Sequence, residues 1–137
     1  MKKSEINIKN IEYTTEMRCS KEELADLFLS VNWNSGKYPE RLQKAIRGST
    51  YKVFAYDKEK LVGMVSALSD GEINLIISYI LVRPEYQRRK IGSNLLQKII
   101  AIKHYSRVVL VSEEDIKDFY LYNNFIEDGV GMFKINW

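Results

Sequence analysis

The sequence predicts a mixed α/β protein: a six- to seven-stranded sheet with a parallel pair at its centre, flanked by about four helices. Three observations lead there. Residues 51–68 alternate like a β-hairpin, and residues 74–82 form a nearly continuous apolar run of the kind buried on both faces. An apolar helical pattern then links that run to a second β-rich segment at 108–111, which makes a strand-helix-strand crossover.

The elements follow in order. Ile6, Ile8 and Ile11 open a β-rich segment that ends at Tyr13. Ser20-Lys21-Glu22-Glu23 has the form of a helix capping box, and a helix from Lys21 to about Val31 follows. Its Leu24, Leu27, Phe28 and Val31 fall at i, i+3, i+4 and i+7, leaving Glu22, Glu23 and Asp26 to water. Residues 32–38 read as a loop holding Trp33 and Tyr38, and Pro39 suits the first turn of a short helix with Leu42, Ala45 and Ile46. Tyr51, Val53 and Ala55 alternate with Lys52 and Phe54, and Asp57-Lys58-Glu59-Lys60 turns the chain into a second strand at 61–68. Asp70-Gly71 turns it again into the central strand, which Pro84 stops. Leu95, Leu96, Ile99, Ile100 and Ile102 mark the crossover helix. Ser112 is placed to cap a last helix carrying Ile116, Phe119 and Tyr120, with Glu113, Glu114 and Asp115 in its positive first turn. Phe125 and residues 130–135, around Asp128-Gly129, read as a closing hairpin.

The 137 residues, 45% hydrophobic and 28% charged, suit one domain spanning 1–137. Lys and Arg exceed Asp and Glu by 21 to 18, a net charge of +3, which is too small for a polyanion-coating protein. One cysteine, Cys19, permits no internal disulfide, and with the single His104 it cannot build a common zinc site, so metal-free chemistry is expected. The first residues lack the apolar run of a signal peptide and no stretch is long enough for a membrane span, so a cytoplasmic location is expected.

Chemistry concentrates where the central strand enters the crossover helix. Val82-Arg83-Pro84-Glu85-Tyr86-Gln87-Arg88-Arg89-Lys90 delivers the chain into a basic turn, and a helix starts near Ile91. Free backbone N–H groups, the positive end of the helix dipole and three cationic side chains converge there, an arrangement suited to a phosphate. Gly92 would let a ligand approach the backbone closely. The alternative is a solvated basic helix start with a glycine kept for packing.

Gln87-Arg88-Arg89-Lys90-Ile91-Gly92, following Val82-Arg83-Pro84, resembles motif A of the GNAT superfamily of N-acetyltransferases, [Q/R]-x-x-G-x-[G/A] after a strand ending in V-x-P. Leu61-Val62-Gly63 and Phe119-Tyr120-Leu121-Tyr122-Asn123-Asn124-Phe125 resemble two further elements of that family in the family's order, and the helix pair with Trp33, Pro39 and Leu42 is similar to small stand-alone bacterial members. Lys90 and Asn124 depart from the pattern, each standing for a glycine.

The resemblance implies a GNAT-like fold and acetyl-CoA as co-substrate. Ile80, Leu81 and Val82 would pair with its pantetheine, and Gln87, Arg88, Arg89, Lys90, Ile91, Gly92 and Ser93 would hold its pyrophosphate. Tyr120 would be the acid that protonates the departing thiolate, and Phe28, Trp33 and Tyr38 would line the acceptor pocket. A base is not evident. Ser78 and Tyr79 stand where some relatives carry acidic groups, and Asp70, Glu72, Glu23 and Glu113 read as solvated or capping carboxylates. The implied reaction is transfer of acetyl to a primary amine of a small molecule or peptide by direct attack in a ternary complex. The partners are acetyl-CoA and the amine, with no nucleic acid and no membrane, and the sheet edges are compatible with a homodimer. The competing reading is a catalytically weak acyl-CoA-binding or sensing module; turnover with a panel of amines separates the two.

Overall fold

The computed structural model describes residues 8–137; Ile6 of the opening segment lies outside the described residues. The strands are β1 (Ile11–Thr14), β2 (Tyr51–Asp57), β3 (Lys60–Ser69), β4 (Asn74–Val82) and β5 (Arg107–Val109), in one sheet of order β1-β2-β3-β4-β5. Helices α1 (Lys21–Ser30), α2 (Pro39–Arg47), α3 (Ile91–Ile100) and α4 (Lys117–Tyr122) complete the fold. Neighbouring strands are antiparallel as far as β4, whereas β4 and β5, joined through α3, are parallel.

The sheet is covered on both faces. On one, Val53, Ala55, Val62 and Val65 pack with Leu95, Leu96 and Ile99 of α3. On the other, Phe54, Leu61 and Met64 pack with Leu24, Leu27 and Phe28 of α1 and Leu42 and Ile46 of α2. Phe54 and Tyr56, both buried, show why residues 53–56 have no polar side. Glu23 joins the layers: its N–H donates to Ser20 Oγ at 3.1 Å while its carboxylate accepts from Leu61 N at 3.1 Å. Arg83, just past β4, is buried; its Nε donates to the Leu61 carbonyl and a terminal nitrogen donates to Asp26 of α1, both at 2.7 Å. The β3–β4 turn is held by Asp70, whose carboxylate accepts the N–H groups of Glu72, Ile73 and Asn74. Those bonds hold its carboxyl well below the usual carboxylate range.

Three sequence expectations are corrected. The parallel pair lies at the edge of the sheet and not at its centre, because β5 is the last strand in the order among the described residues. The sheet has five strands, because the closing hairpin does not form: residues 125–137 have no regular structure, and Ile126, Val130, Met132, Phe133 and Ile135 remain exposed. The tail runs beside the end of β5, where Gly131 lies against Val111, and ends with Trp137 stacked on Tyr38 at 5.4 Å between ring centres. The last helix also starts later than Ser112 indicates. The Ser112 hydroxyl donates to the Glu113 carbonyl, a tight 3₁₀ turn occupies Glu114–Ile116, and α4 begins at Lys117. No helix among the described residues is long and apolar enough to cross a membrane.

Candidate active site

The pairing of β4 with β5 ends at Ile76 and Val109. Beyond that point a cavity of about 210 Å³ lies between the two chains, with Ile77, Ser78, Tyr79 and Ile80 of β4 on one side and Leu110 and Val111 on the other. Trp33, Glu113, Ile116 and Tyr120 complete its walls. A cleft beyond the carboxyl ends of parallel strands is where open α/β sheets bind ligands. Trp33 and Tyr79 stand 6.0 Å apart between ring centres, and Tyr79 reaches the Ser35 hydroxyl at 3.4 Å.

Tyr120 is nearly buried, its ring edge-on to Phe119 at 5.0 Å and to Phe125 at 5.8 Å. Burial, with a smaller contribution from the charge of Glu113, pushes its phenol up to about 12. It is therefore a protonated donor throughout the neutral range. The Asn124 turn that follows α4 takes φ 71, the left-handed backbone that a glycine would otherwise supply.

The turn from β4 into α3 is built from main chain. A short 3₁₀ turn spans Pro84–Tyr86, Gln87 Nε2 donates to the Val82 carbonyl at 2.9 Å, and Arg88 and Lys90 adopt left-handed backbone with φ 61 and 67. The first helical bond across this junction runs from Asn94 N to Lys90 O, which leaves the amides of Ile91, Gly92 and Ser93 at the positive end of α3. Arg89 Nε is buried with no hydrogen-bond partner among the described residues. The free amides at the positive end of α3 fit an anionic group such as a diphosphate. A Cβ on Gly92 would meet the Phe119 ring at 3.4 Å, an ordinary contact, so the packing of α3 on α4 does not itself require glycine there.

The remaining sequence candidates are spread around this site. Ile80 lies on the cavity wall, while Leu81 and Val82 are buried in the cores on opposite faces of the sheet. Phe28 is wholly buried behind the cavity, edge-on to Trp33 at 5.9 Å and to Tyr79 at 5.0 Å, so it supports the wall instead of forming it. Tyr38 is outside the cavity wall, stacked on Trp137 with the guanidinium of Arg41 close to both rings. Cys19 packs beside the α1 and α2 core, and burial pushes its thiol up, away from a reactive thiolate. No group of three His, Cys, Asp or Glu among the described residues could hold a metal. Glu113 is the wall residue least visible in the sequence; the available signal is its place just past the end of a parallel strand.

The sequence model of the Acetyltransferase (GNAT) family matches residues 17–121. The chain belongs to the GNAT acetyltransferase family. Its activity is that of an acyl-CoA-dependent N-acetyltransferase. Among its relatives, the uncharacterized N-acetyltransferase ycf52 of Pyropia yezoensis is 26% identical over 98% of this chain and 89% of its own length. The chloroplastic GCN5-related N-acetyltransferase 2 of Arabidopsis thaliana is 31% identical over 58% of this chain, which spans 32% of that longer protein. The fold matches a probable acetyltransferase, SA2161, from Staphylococcus aureus with a TM-score of 0.82 at 22% identity, covering 93% of this chain and 99% of the other. It also matches the GNAT family protein SP0256 of Streptococcus pneumoniae, with a TM-score of 0.75 at 28% identity over 92% and 96% of the two chains.

This GNAT chain keeps the shape of the motif turn with lysine in place of a glycine. A left-handed non-glycine residue costs about 1–2 kcal/mol, and glycine recovers that at an unfolded-state entropy cost of about 0.4–1 kcal/mol. Lys90→Gly is therefore expected to be neutral or stabilising within about 1 kcal/mol, whereas β-branched Lys90→Val loses about 1–2 kcal/mol. Denaturant unfolding of both variants checks this; a Gly variant less stable than the Val variant would show that the lysine side chain, and not the turn, sets the local energy.

Proposed function

We propose that this GNAT acetyltransferase transfers acetyl from acetyl-CoA to a primary amine of a small molecule or peptide, by direct attack within a ternary complex. The observation that carries this reading is the single cavity wall formed by Tyr120, Trp33 and the stretch of β4 past its pairing with β5, continuous along β4 with the amide-rich turn at the start of α3. Acetyl-CoA supplies the activated thioester. The amides of Ile91, Gly92 and Ser93, with Arg88, Arg89 and the turn from Gln87 to Lys90, hold its pyrophosphate, as helix N-termini hold anions. The main chain of Ile80, Leu81 and Val82 offers an edge along which the pantetheine lies. Trp33 bounds the acceptor side, with Phe28 behind it. Tyr120 protonates the departing sulfur, because its phenol retains its proton at neutral pH.

The test is a two-step measurement on the full chain. CoA that binds only the folded state raises the melting temperature in step with its concentration. Acetyl-CoA with an amine panel then releases free CoA thiol only in the presence of an acceptor. Absence of a thermal shift at millimolar CoA overturns the binding site, and a shift without thiol release from any amine favours a CoA-sensing module.

A further inference from the structure

The cavity carries one formal charge at neutral pH, and it is negative. Glu113 lies on its wall among Trp33, Tyr79, Ile80 and Leu110, and among the described residues no lysine, arginine or histidine lines it. The neighbouring acid is committed elsewhere, since Glu114 pairs with Lys117 at 3.1 Å. The Glu113 carboxylate makes no ion pair or hydrogen bond with a described residue; only its backbone carbonyl is engaged, by Ser112 and by the Ile116 N–H. It shares the cavity wall with Tyr120, close enough for its charge to act on that phenol. An unpaired carboxylate that shares a cavity wall with two aromatic rings makes a receptor for an organic cation, because rings and carboxylate both attract positive charge.

Resting on the acetyltransferase reading above, we propose that Glu113 sets the acceptor class: it draws a cationic primary amine into the cavity, its apolar stem against Trp33 and Tyr79, and turns away amines that carry a carboxylate or phosphate close to the reacting nitrogen. An anionic acceptor would meet Glu113 with no cation on the wall to offset the repulsion. Glu113 also handles a proton. The ammonium gives up one proton through this exposed carboxylate to water. The freed lone pair forms the C–N bond to the acetyl carbon, the C–S bond breaks with its electron pair on sulfur, Tyr120 protonates the sulfur, and the second proton, lost from nitrogen as the amide forms, returns through water to the Tyr120 oxygen. The balance is ammonium plus acetyl thioester giving amide, CoA thiol and one proton to solvent. The part of the carboxylate is to attract and orient the cation and to pass the proton on to water.

The test compares n-butylamine, putrescine and γ-aminobutyrate, whose alkylamine groups are of similar basicity but whose far ends are neutral, cationic and anionic. The wild-type protein is expected to use the first two with kcat/KM at least about tenfold above the anionic one. Glu113→Gln should raise KM for the two preferred amines about tenfold and narrow the preference to within about threefold, with the CoA-induced thermal shift unchanged. Glu114→Gln, paired away from the cavity, should leave the ranking as it is. Equal use of γ-aminobutyrate, an unchanged KM in Glu113→Gln, or no turnover of any of the three by protein that binds CoA overturns the assignment. Loss of the CoA shift in the wild-type protein overturns the acetyltransferase site itself, a separate result.

Discussion

Tyr120→Phe is expected to lower kcat by about 10²-fold, at the low end of the range of about 10²–10⁴ typical for a positioned general acid. The low end follows from the energetics of the leaving group. Burial holds the Tyr120 phenol near 12, whereas an ordinary thiol has a pKa near 8.5, so the phenol is about 3.5 units the weaker acid and a thiolate can depart without complete proton transfer. What the hydroxyl supplies is a hydrogen bond to charge growing on sulfur inside an apolar cavity, and the proton follows as the intermediate collapses. The substitution removes one oxygen and retains the ring that packs on Phe119 and Phe125, so the melting temperature and CoA affinity should change little. The pH profile gives a second check. With the phenol at about 12, the wild-type kcat should show no alkaline limb from this group below about pH 11, and a limb near 10 would place the residue in a more open setting. Full kcat in the Phe variant, with chemistry shown to limit the rate, would return Tyr120 to a packing role.

The parts of the fold that could be read in advance are those fixed by local pattern. The apolar run at 74–82, the helix after it and the β segment at 108 lie close in sequence, and their order leaves one simple arrangement, the parallel β4–β5 pair. The motif turn was legible for the same reason: a strand, a basic turn and a helix start need no distant partner. The closing hairpin was not, because alternation at 130–135 describes a strand only where another strand accepts it, and β5 has three residues, Arg107–Val109. Its apolar side chains are instead left exposed, and Trp137 finds Tyr38. That stacking also explains why Tyr38 is absent from the cavity wall, although it shares a loop with Trp33. Glu113 was hidden by its neighbours: in Ser112-Glu113-Glu114-Asp115 three acids look like an ordinary helix start, and only the divergence of β4 and β5 singles one of them out.

Gly36→Ala is expected to destabilise the protein by about 2–3 kcal/mol, the upper part of the range of about 1–3 kcal/mol for forcing extra atoms into a close-packed site. The reason is steric and not conformational. A Cβ at this position would stand 2.7 Å from the Ala25 carbonyl oxygen and 2.7 Å from Leu29 Cγ, so the turn at Asn34–Lys37 would have to lift from α1. Gly71 provides the contrast: its φ of 85 favours glycine, but a Cβ there meets open space, so Gly71→Ala costs about 1 kcal/mol of backbone strain and nothing in packing. The Gly36 turn is hydrogen-bonded to the wall of the cavity, since Gly36 N donates to Trp33 O and Trp33 N donates to Phe28 O. Lifting it therefore displaces Trp33, while the turn at the start of α3 belongs to another layer and is undisturbed. Beyond the lower melting temperature, the folded Gly36→Ala protein should show a raised KM for the amine acceptor with CoA affinity retained. A melting temperature equal to that of the wild-type protein would mean that α1 and the turn separate freely, and an equal loss for CoA and amine would mean that Trp33 supports the whole fold and not the acceptor side alone.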